Sequence, residues 1–332
     1  MSMKIVKFND SYISDVVKLW NKSAKAEMPY KPFTEASFRD KFINNPHFSY
    51  EGTFVGIEDE KVIAFANGIF KKEFLPGETY ENTPGYLTFI LVDKPYRRNG
   101  YGSMMLKSVE DYFIACGKKQ VQIIFFNPIN LEWYIPGSKN HDHPNAPGVD
   151  VDGPGYEFLK KHGYEERSRE VSMYLDLSKY ELSEKTISKL EELKAKGIYI
   201  EYYNEDKHYG FDQFFDNLKN EYWRKDIKDN LARPNPLPVI VANDNGKICG
   251  FTGPIDVEKS GRGWFCGIGV DPGYGGDGIG TTLFCMLMKS FKDIGAQFSS
   301  LFTGLDNPAR KIYERAGFTV VKTWAVMRKE IM

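Results

Sequence analysis

The sequence predicts an α/β protein, with a mixed α+β sheet, in which one domain type occurs twice in tandem. Three observations carry this expectation. Strand and helix patterns alternate through both halves of the chain. A buried strand, a glycine-rich bend and an amphipathic helix recur in the same order in each half. The 332-residue length is too great for one ordinary core and suits two.

Residues 5–8 open the first copy and residues 198–202 the second, each as a strand. Residues 86–92 and 264–270 read as buried strands, followed by Asp93-Lys94-Pro95-Tyr96 and Asp271-Pro272-Gly273-Tyr274. The helix after Gly102 carries Met105, Leu106, Val109, Tyr112, Phe113 and Cys116 at a 3.6-residue period. The helix after Gly280 carries Leu283, Phe284, Leu287, Met288, Phe291 and Ile294 in the same way. A strand follows each helix, at 120–127 and 297–303. A short helix then ends in Gly163-Tyr164 or Gly317-Phe318, with glycine where a helix C-terminus favours it.

Gly102 and Gly163 lie 61 positions apart, Gly280 and Gly317 only 37, so the first copy carries an insertion near 128–154. It is rich in Pro, Gly, Asn and Asp, and a loop of this kind often forms a lid or substrate wall. The expected domains are 1–180, a linker helix at 181–197 capped by Ser183, and 198–332.

Composition limits the function classes. Apolar residues make up 42% and aromatics 15%, which suits packed cores and not a disordered chain. Lys plus Arg total 44 against 45 for Asp plus Glu, so there is no electrostatic reason to expect a nucleic-acid partner. No apolar run reaches membrane-spanning length, and Lys4 and Lys7 stand where a signal peptide needs apolar residues. The expectation is a cytoplasmic protein with no nucleic-acid or membrane partner; the sequence specifies no oligomeric state. Cys116, Cys249, Cys266 and Cys285 form no CxxC pair and read as buried reduced thiols. His141, Asp142 and His143 have no further ligand cluster beside them, so no metal is expected.

The glycine-rich bends carry the chemistry. The first reads Arg97-Arg98-Asn99-Gly100-Tyr101-Gly102-Ser103 and the second Gly275-Gly276-Asp277-Gly278-Ile279-Gly280-Thr281. Each joins a buried strand to a helix start, where backbone N–H groups converge and the helix dipole favours an anion. Glycine permits close backbone approach, and Arg97 and Arg98 add donors suited to phosphate. A Rossmann dinucleotide site is the main competing reading. It needs GxGxxG after the first strand, whereas here the bend follows a later strand with different glycine spacing.

On these residues the chain resembles the GNAT superfamily of N-acetyltransferases, whose acyl-CoA signature is [Arg/Gln]-x-x-Gly-x-[Gly/Ala]. The first bend fits it fully; the second has Gly275 at the Arg/Gln position. Asn307, Ala309, Tyr313 and Gly317-Phe318 resemble the family's second signature, along one helix. The resemblance covers both halves. It implies acetyl-CoA as co-substrate, without a metal, and an amine of a small molecule or peptide as acceptor. The bend residues would hold the diphosphate. Leu91 and Val92, and Ile268, Gly269 and Val270, would offer backbone groups to the pantetheine as an added strand does. Asn307 would bond the CoA arm, and also caps its helix ahead of Pro308.

By the same resemblance Tyr313 protonates the leaving thiolate, a task for a phenol of ordinary pKa about 10. Ala309, Ile312, Tyr313 and Ala316 form one helix face, so Tyr313 points inward in any case. Leu159 occupies the corresponding position of the first copy, with Tyr156 one turn earlier. The second copy is therefore expected to be catalytic. Asp256 and Glu258 are possible general bases, and Phe211, Phe214, Phe215, Leu218 and Tyr222 form an aromatic helix stripe near the acceptor side. The alternative is a non-catalytic acyl-CoA sensor or scaffold, favoured by Leu159 and Gly275.

Overall fold

The structure, a computed structural model, describes residues 2–75 and 77–331. Contacts divide the chain into two compact units, Met1–Val171 with Lys322–Met332, and Ser172–Val321.

The chain begins with β1 (Lys4–Lys7), α1 (Ile13–Ala26) and the single turn α2 (Glu35–Phe38). The meander β2 (Thr53–Glu58), β3 (Lys61–Phe70) and β4 (Gly85–Val92) leads to α3 (Tyr101–Ala115) and β5 (Gln120–Ile123). Three short strands follow, β6 (Trp133–Tyr134), β7 (Asp142–His143) and β8 (Val149–Asp150), then α4 (Pro154–Lys161) and β9 (Glu165–Asp176). Next come α5 (Glu184–Ala195), β10 (Ile198–Tyr202), α6 (Phe211–Leu218), α7 (Glu221–Leu231), β11 (Ile240–Asp244) and β12 (Lys247–Gly253). The hairpin β13 (Asp256–Val257) and β14 (Gly263–Trp264) precedes β15 (Gly267–Val270), α8 (Ile279–Asp293), β16 (Phe298–Gly304), α9 (Arg310–Arg315) and β17 (Thr319–Glu330).

In the first unit β1 to β4 form an antiparallel meander. Period-two alternation sorts β3 between two cores. Ala64 and Ala66 pack with Met105, Leu106, Val109 and Phe113 of α3. Phe65 packs on the opposite face with Val16 and Trp20 of α1, and with Phe38 and Phe42. The small alanines leave room for α3 to sit close to the sheet.

The second unit repeats the meander as β10-β11-β12-β15. Its α8 buries Leu283, Phe284, Leu287, Met288 and Phe291. Phe214, Phe215, Ile227, Val241 and Phe251 form a second cluster.

The division differs from the one expected at 1–180, 181–197 and 198–332. The chain leaves the first unit after Val171, inside β9, and re-enters it at Lys322, inside β17. There β17 pairs antiparallel with β5, from Met327↔Ile123 to Glu330↔Gln120. Its Trp324 and Ala325 pair with Asp150 and Val149 of β8. Pairing between strands so far apart in sequence leaves no local signal.

Two strands are shorter than their patterns. β5 ends at Ile123, because Asn127 closes a turn: its N–H donates to the Ile124 carbonyl, and its Oδ1 accepts from Ile129 N. The segment 264–270 is broken at Phe265 and Cys266, where the thiol donates to the Gly253 carbonyl. The insertion is more than a loop. It carries β6 to β8, and Trp133 is fully buried with its ring 5.1 Å from that of Trp324. Among the described residues, no helix is long and apolar enough to cross a membrane.

Trp324→Ala is expected to cost about 3–5 kcal/mol, the usual range for emptying a buried aromatic site. Hydrogen exchange of the full chain should speed up in the first-unit segment around β5 and β8. Unchanged protection there would contradict the placement of β17.

Candidate functional site

The two bends have the same backbone. Asp93 and Asp271, with φ/ψ of −57/134° and −56/129°, each lead into a 3-10 turn containing a proline, which presets φ. Arg98 and Gly276 are left-handed at φ 67° and 93°, and Gly100 and Gly278 at 81° and 80°. Gly100 and Gly278 are the N-caps of α3 and α8. A left-handed cap aims the following amides out of the helix start. Among the described residues, the backbone N–H groups of 98–103 and 276–281 have no hydrogen-bond acceptor. Each bend therefore presents a run of free donors at the positive end of a fifteen-residue helix.

The long cations are arranged differently from expectation. Arg97 turns away from the amides. Its Nε donates to the Val92 carbonyl at 2.7 Å, and its two terminal nitrogens bind Glu27, the residue just past the end of α1. Arg98 is exposed, and no ion-pair partner is found for it among the described residues. Asn99 Nδ2 reaches the Tyr96 carbonyl only at 3.4 Å. Tyr101 donates its hydroxyl to Glu58 at 2.7 Å, and that bond raises the phenol pKa.

Ser103 has a partner the sequence did not reveal. His162 Nδ1 lies 2.8 Å from the Phe158 carbonyl, which can only accept, so Nδ1 carries the proton. Its Nε2 lies at hydrogen-bond distance from the Ser103 hydroxyl, also 2.8 Å.

Cations also stand at the second bend, where the motif has Gly275. Lys196, just past α5, binds Asp277 at 2.9 Å. Lys189 of α5 lays its side chain over Gly278; a Cβ there would meet Lys189 Cε at 3.6 Å. The sequence signal for this pair is its seven-residue spacing on a capped helix.

Both copies splay beside the bend. β4 pairs with β5 only at Gly85↔Val121 and Tyr86↔Gln122, leaving the rest of β4, with Leu91 and Val92, unpaired on that edge. Among the described residues β15 pairs with β12 alone and ends its sheet, while β16 neighbours β9 instead. Ile268, Gly269 and Val270 thus lie on an open edge able to take an added strand. Packing accounts for the glycines of β15: a Cβ on Gly267 would meet Trp223 at 2.4 Å, and one on Gly269 would meet Leu218 at 2.7 Å.

Tyr313 lies on α9, half-buried, its ring 4.9 Å from Phe284 of α8. No hydrogen-bond partner is found for its hydroxyl among the described residues. Burial raises its pKa, so the phenol keeps its proton at neutral pH. Asn307 Oδ1 accepts from Ala309 N at 2.9 Å; the helix proper begins at Arg310, after a turn. In the first copy Leu159 is buried in the core, and Tyr156 donates its hydroxyl to Glu166.

Glu258 is bound by Arg262, and Asp256, exposed, accepts from the next residue's amide. All four cysteines are free thiols, but Cys116 and Cys266 are only partly buried. Asp142 is bound by Lys31 at 2.6 Å, and among the described residues no group of three or more His, Cys, Asp or Glu could hold a metal. The start of the insertion borders a first-unit cavity of about 530 Å³ with Trp20, Lys31, Phe33, Lys41 and Glu132 in its lining.

The profile of the Acetyltransferase (GNAT) family matches the chain twice, at residues 15–134 and 199–318. Mycothiol acetyltransferase of Propionibacterium freudenreichii subsp. shermanii is 31% identical over 105 residues, 30% of this chain and 34% of that protein. An uncharacterised N-acetyltransferase of Methanocaldococcus jannaschii is 31% identical over 131 residues, 37% of this chain and 57% of that protein. The chain thus spans between a third and three fifths of the length of these relatives.

Among solved structures, a GCN5-related N-acetyltransferase from Sphaerobacter thermophilus superposes with a TM-score of 0.59 at 16% identity, covering 99% of this chain and 95% of that one. A tandem GNAT protein from the clavulanic acid biosynthesis pathway superposes with a TM-score of 0.56 at 13% identity, covering 99% and 98%. These two share the fold.

Gly278→Val should destabilise the start of α8 by about 1–2 kcal/mol, the cost of a side chain in left-handed backbone, and Gly278→Asn by less. Thermal unfolding of the two variants checks the order. Equal midpoints would contradict the backbone assigned to this bend.

Proposed function

Because this chain belongs to the acetyltransferase (GNAT) family, we propose that it transfers an acetyl or other acyl group from acetyl-CoA to an amine, with the second unit catalytic. The observation that carries this reading is the coincidence, in one unit, of free bend amides, an open β15 edge and a half-buried, protonated Tyr313. Bound acetyl-CoA would supply the acyl group as a reactive thioester.

The chain's own residues account for the rest. The amides of 276–281 neutralise a diphosphate without requiring a long cation in the motif. Backbone groups of Ile268 and Val270 align an extended arm along the open edge. Tyr313 holds a proton at its hydroxyl and gives it up to a developing thiolate. The amine must lose its own proton to attack, to a side-chain base or to a water chain. The acceptor class is a small-molecule or peptide amine.

The first unit has the same cradle and the same splay, but Leu159 where the acid would stand. On this reading it binds acyl-CoA without turning it over. A wholly non-catalytic sensor is the second reading. It predicts that the full chain binds acetyl-CoA yet releases no thiol in a single turnover with any of a broad panel of amines.

Tyr313→Phe should lower kcat on the order of a hundredfold while leaving CoA affinity within about twofold, the split expected for a general acid. Because the folded phenol pKa is raised, the parent's kcat should fall only above the ordinary tyrosine range, at about pH 10 or higher, and that limb should vanish in the variant. Parent-like turnover by Tyr313→Phe would remove it from the mechanism.

Glu27→Gln should free Arg97 and tighten CoA binding at the first bend, read by calorimetry as a second, stronger site. Unchanged binding would mean that Arg97 plays no part there.

A further inference from the structure

The second bend departs from its family pattern at Gly275, yet it is not short of positive charge. We propose that Lys189 and Lys196 of the α5 segment are the cationic half of the second unit's diphosphate site, replacing the arginine that the first copy carries as Arg97. The inference rests on the acyl-CoA reading above and assigns that site two residues from outside its motif.

The two lysines lie seven positions apart and so share one face of the helical segment. Ser183 caps the start of α5, accepting from Thr186 N at 3.2 Å, which fixes where the face begins. Lys189 runs over Gly278, the left-handed cap residue whose neighbours carry the free amides. Lys196 Nζ meets Asp277 inside the bend at 2.9 Å. Glu192, between them, binds both: Lys189 directly and Lys196 at 3.3 Å. Two ammonium groups are thus held at the mouth of the bend by two carboxylates.

A diphosphate is a stronger, multiply charged acceptor for these ammonium groups than either carboxylate. It would take them over while also accepting from the amides of 276–281. Asp277 and Glu192 then act as placeholders that keep the lysines aimed. The α5 segment becomes part of the binding site as well as a connection.

The test uses the full chain with the first bend closed by Gly100→Asp. Aspartate tolerates left-handed backbone, is a good N-cap, and its Cβ would meet nothing within 4 Å at Gly100. Its carboxylate then competes for the first bend's amides. In this background, CoA affinity is measured by calorimetry at two salt concentrations. Lys189→Gln with Lys196→Gln should weaken CoA by about tenfold or more and flatten the salt dependence, as loss of charge-assisted bonds to phosphate does. Glu192→Gln should have the opposite sign and tighten CoA, because it removes a competitor for both lysines.

Affinity within about twofold of the background for the double variant, with an unchanged salt slope, would overturn the assignment while leaving the acyl-CoA reading intact. A background protein that is folded but binds no CoA would overturn both.

Discussion

A left-handed residue at a helix N-cap is the constraint on which this structure turns. After β4 and after β15 the chain must leave a strand end that is open on one side and start a helix across one face. It does so through two left-handed positions, at 98 and 100 and again at 276 and 278. That geometry leaves the first helical amides without backbone partners, as at every helix start. Here they point into an opening next to an unpaired strand edge and not into a capping side chain. Arg98 shows how strongly the backbone is held, since a non-glycine residue there costs about 1–2 kcal/mol.

Around this shared frame the copies have diverged in complementary ways. The first keeps a motif arginine but ties it to Glu27 and Val92, and fills the place of the acid with buried Leu159. The second has no motif arginine, carries lysines of the α5 segment beside the bend, and retains on α9 a tyrosine whose hydroxyl has no partner among the described residues. On the reading proposed above, the first copy keeps binding alone and the second holds both binding and proton transfer. The insertion adds buried surface to the first unit through Trp133 and Trp324 and contributes to a cavity wall.

Much of this was legible in the sequence because it is local. The twin bends, the stripes of α3 and α8, and the glycines ending the short helices, Gly163 and Gly317 at φ 83° and 97°, each follow from a few adjacent residues. What was not legible depends on partners distant in sequence. Nothing near 322–332 says that it belongs with β5, because register and partner are set by the whole sheet. The pairing of Arg97 with Glu27, seventy residues earlier, has no local signal either. Ser103 and His162, 59 residues apart, join only because α4 packs over Gly102, where a Cβ would meet Phe158 at 3.2 Å. The close approach of Trp223 and Leu218 to Gly267 and Gly269 of β15 is likewise a distant contact with no local signal.

The central claim, that bend amides cradle a diphosphate, is tested most directly at those amides. Selective labelling of the 30 glycines with nitrogen-15 gives a spectrum in which Gly276, Gly278 and Gly280 can be followed beside Gly100 and Gly102. Titration with CoA is predicted to shift the second set, and the first set at its own affinity, while adenosine without phosphates leaves both in place. CoA that binds while all five of these resonances stay still would contradict the account.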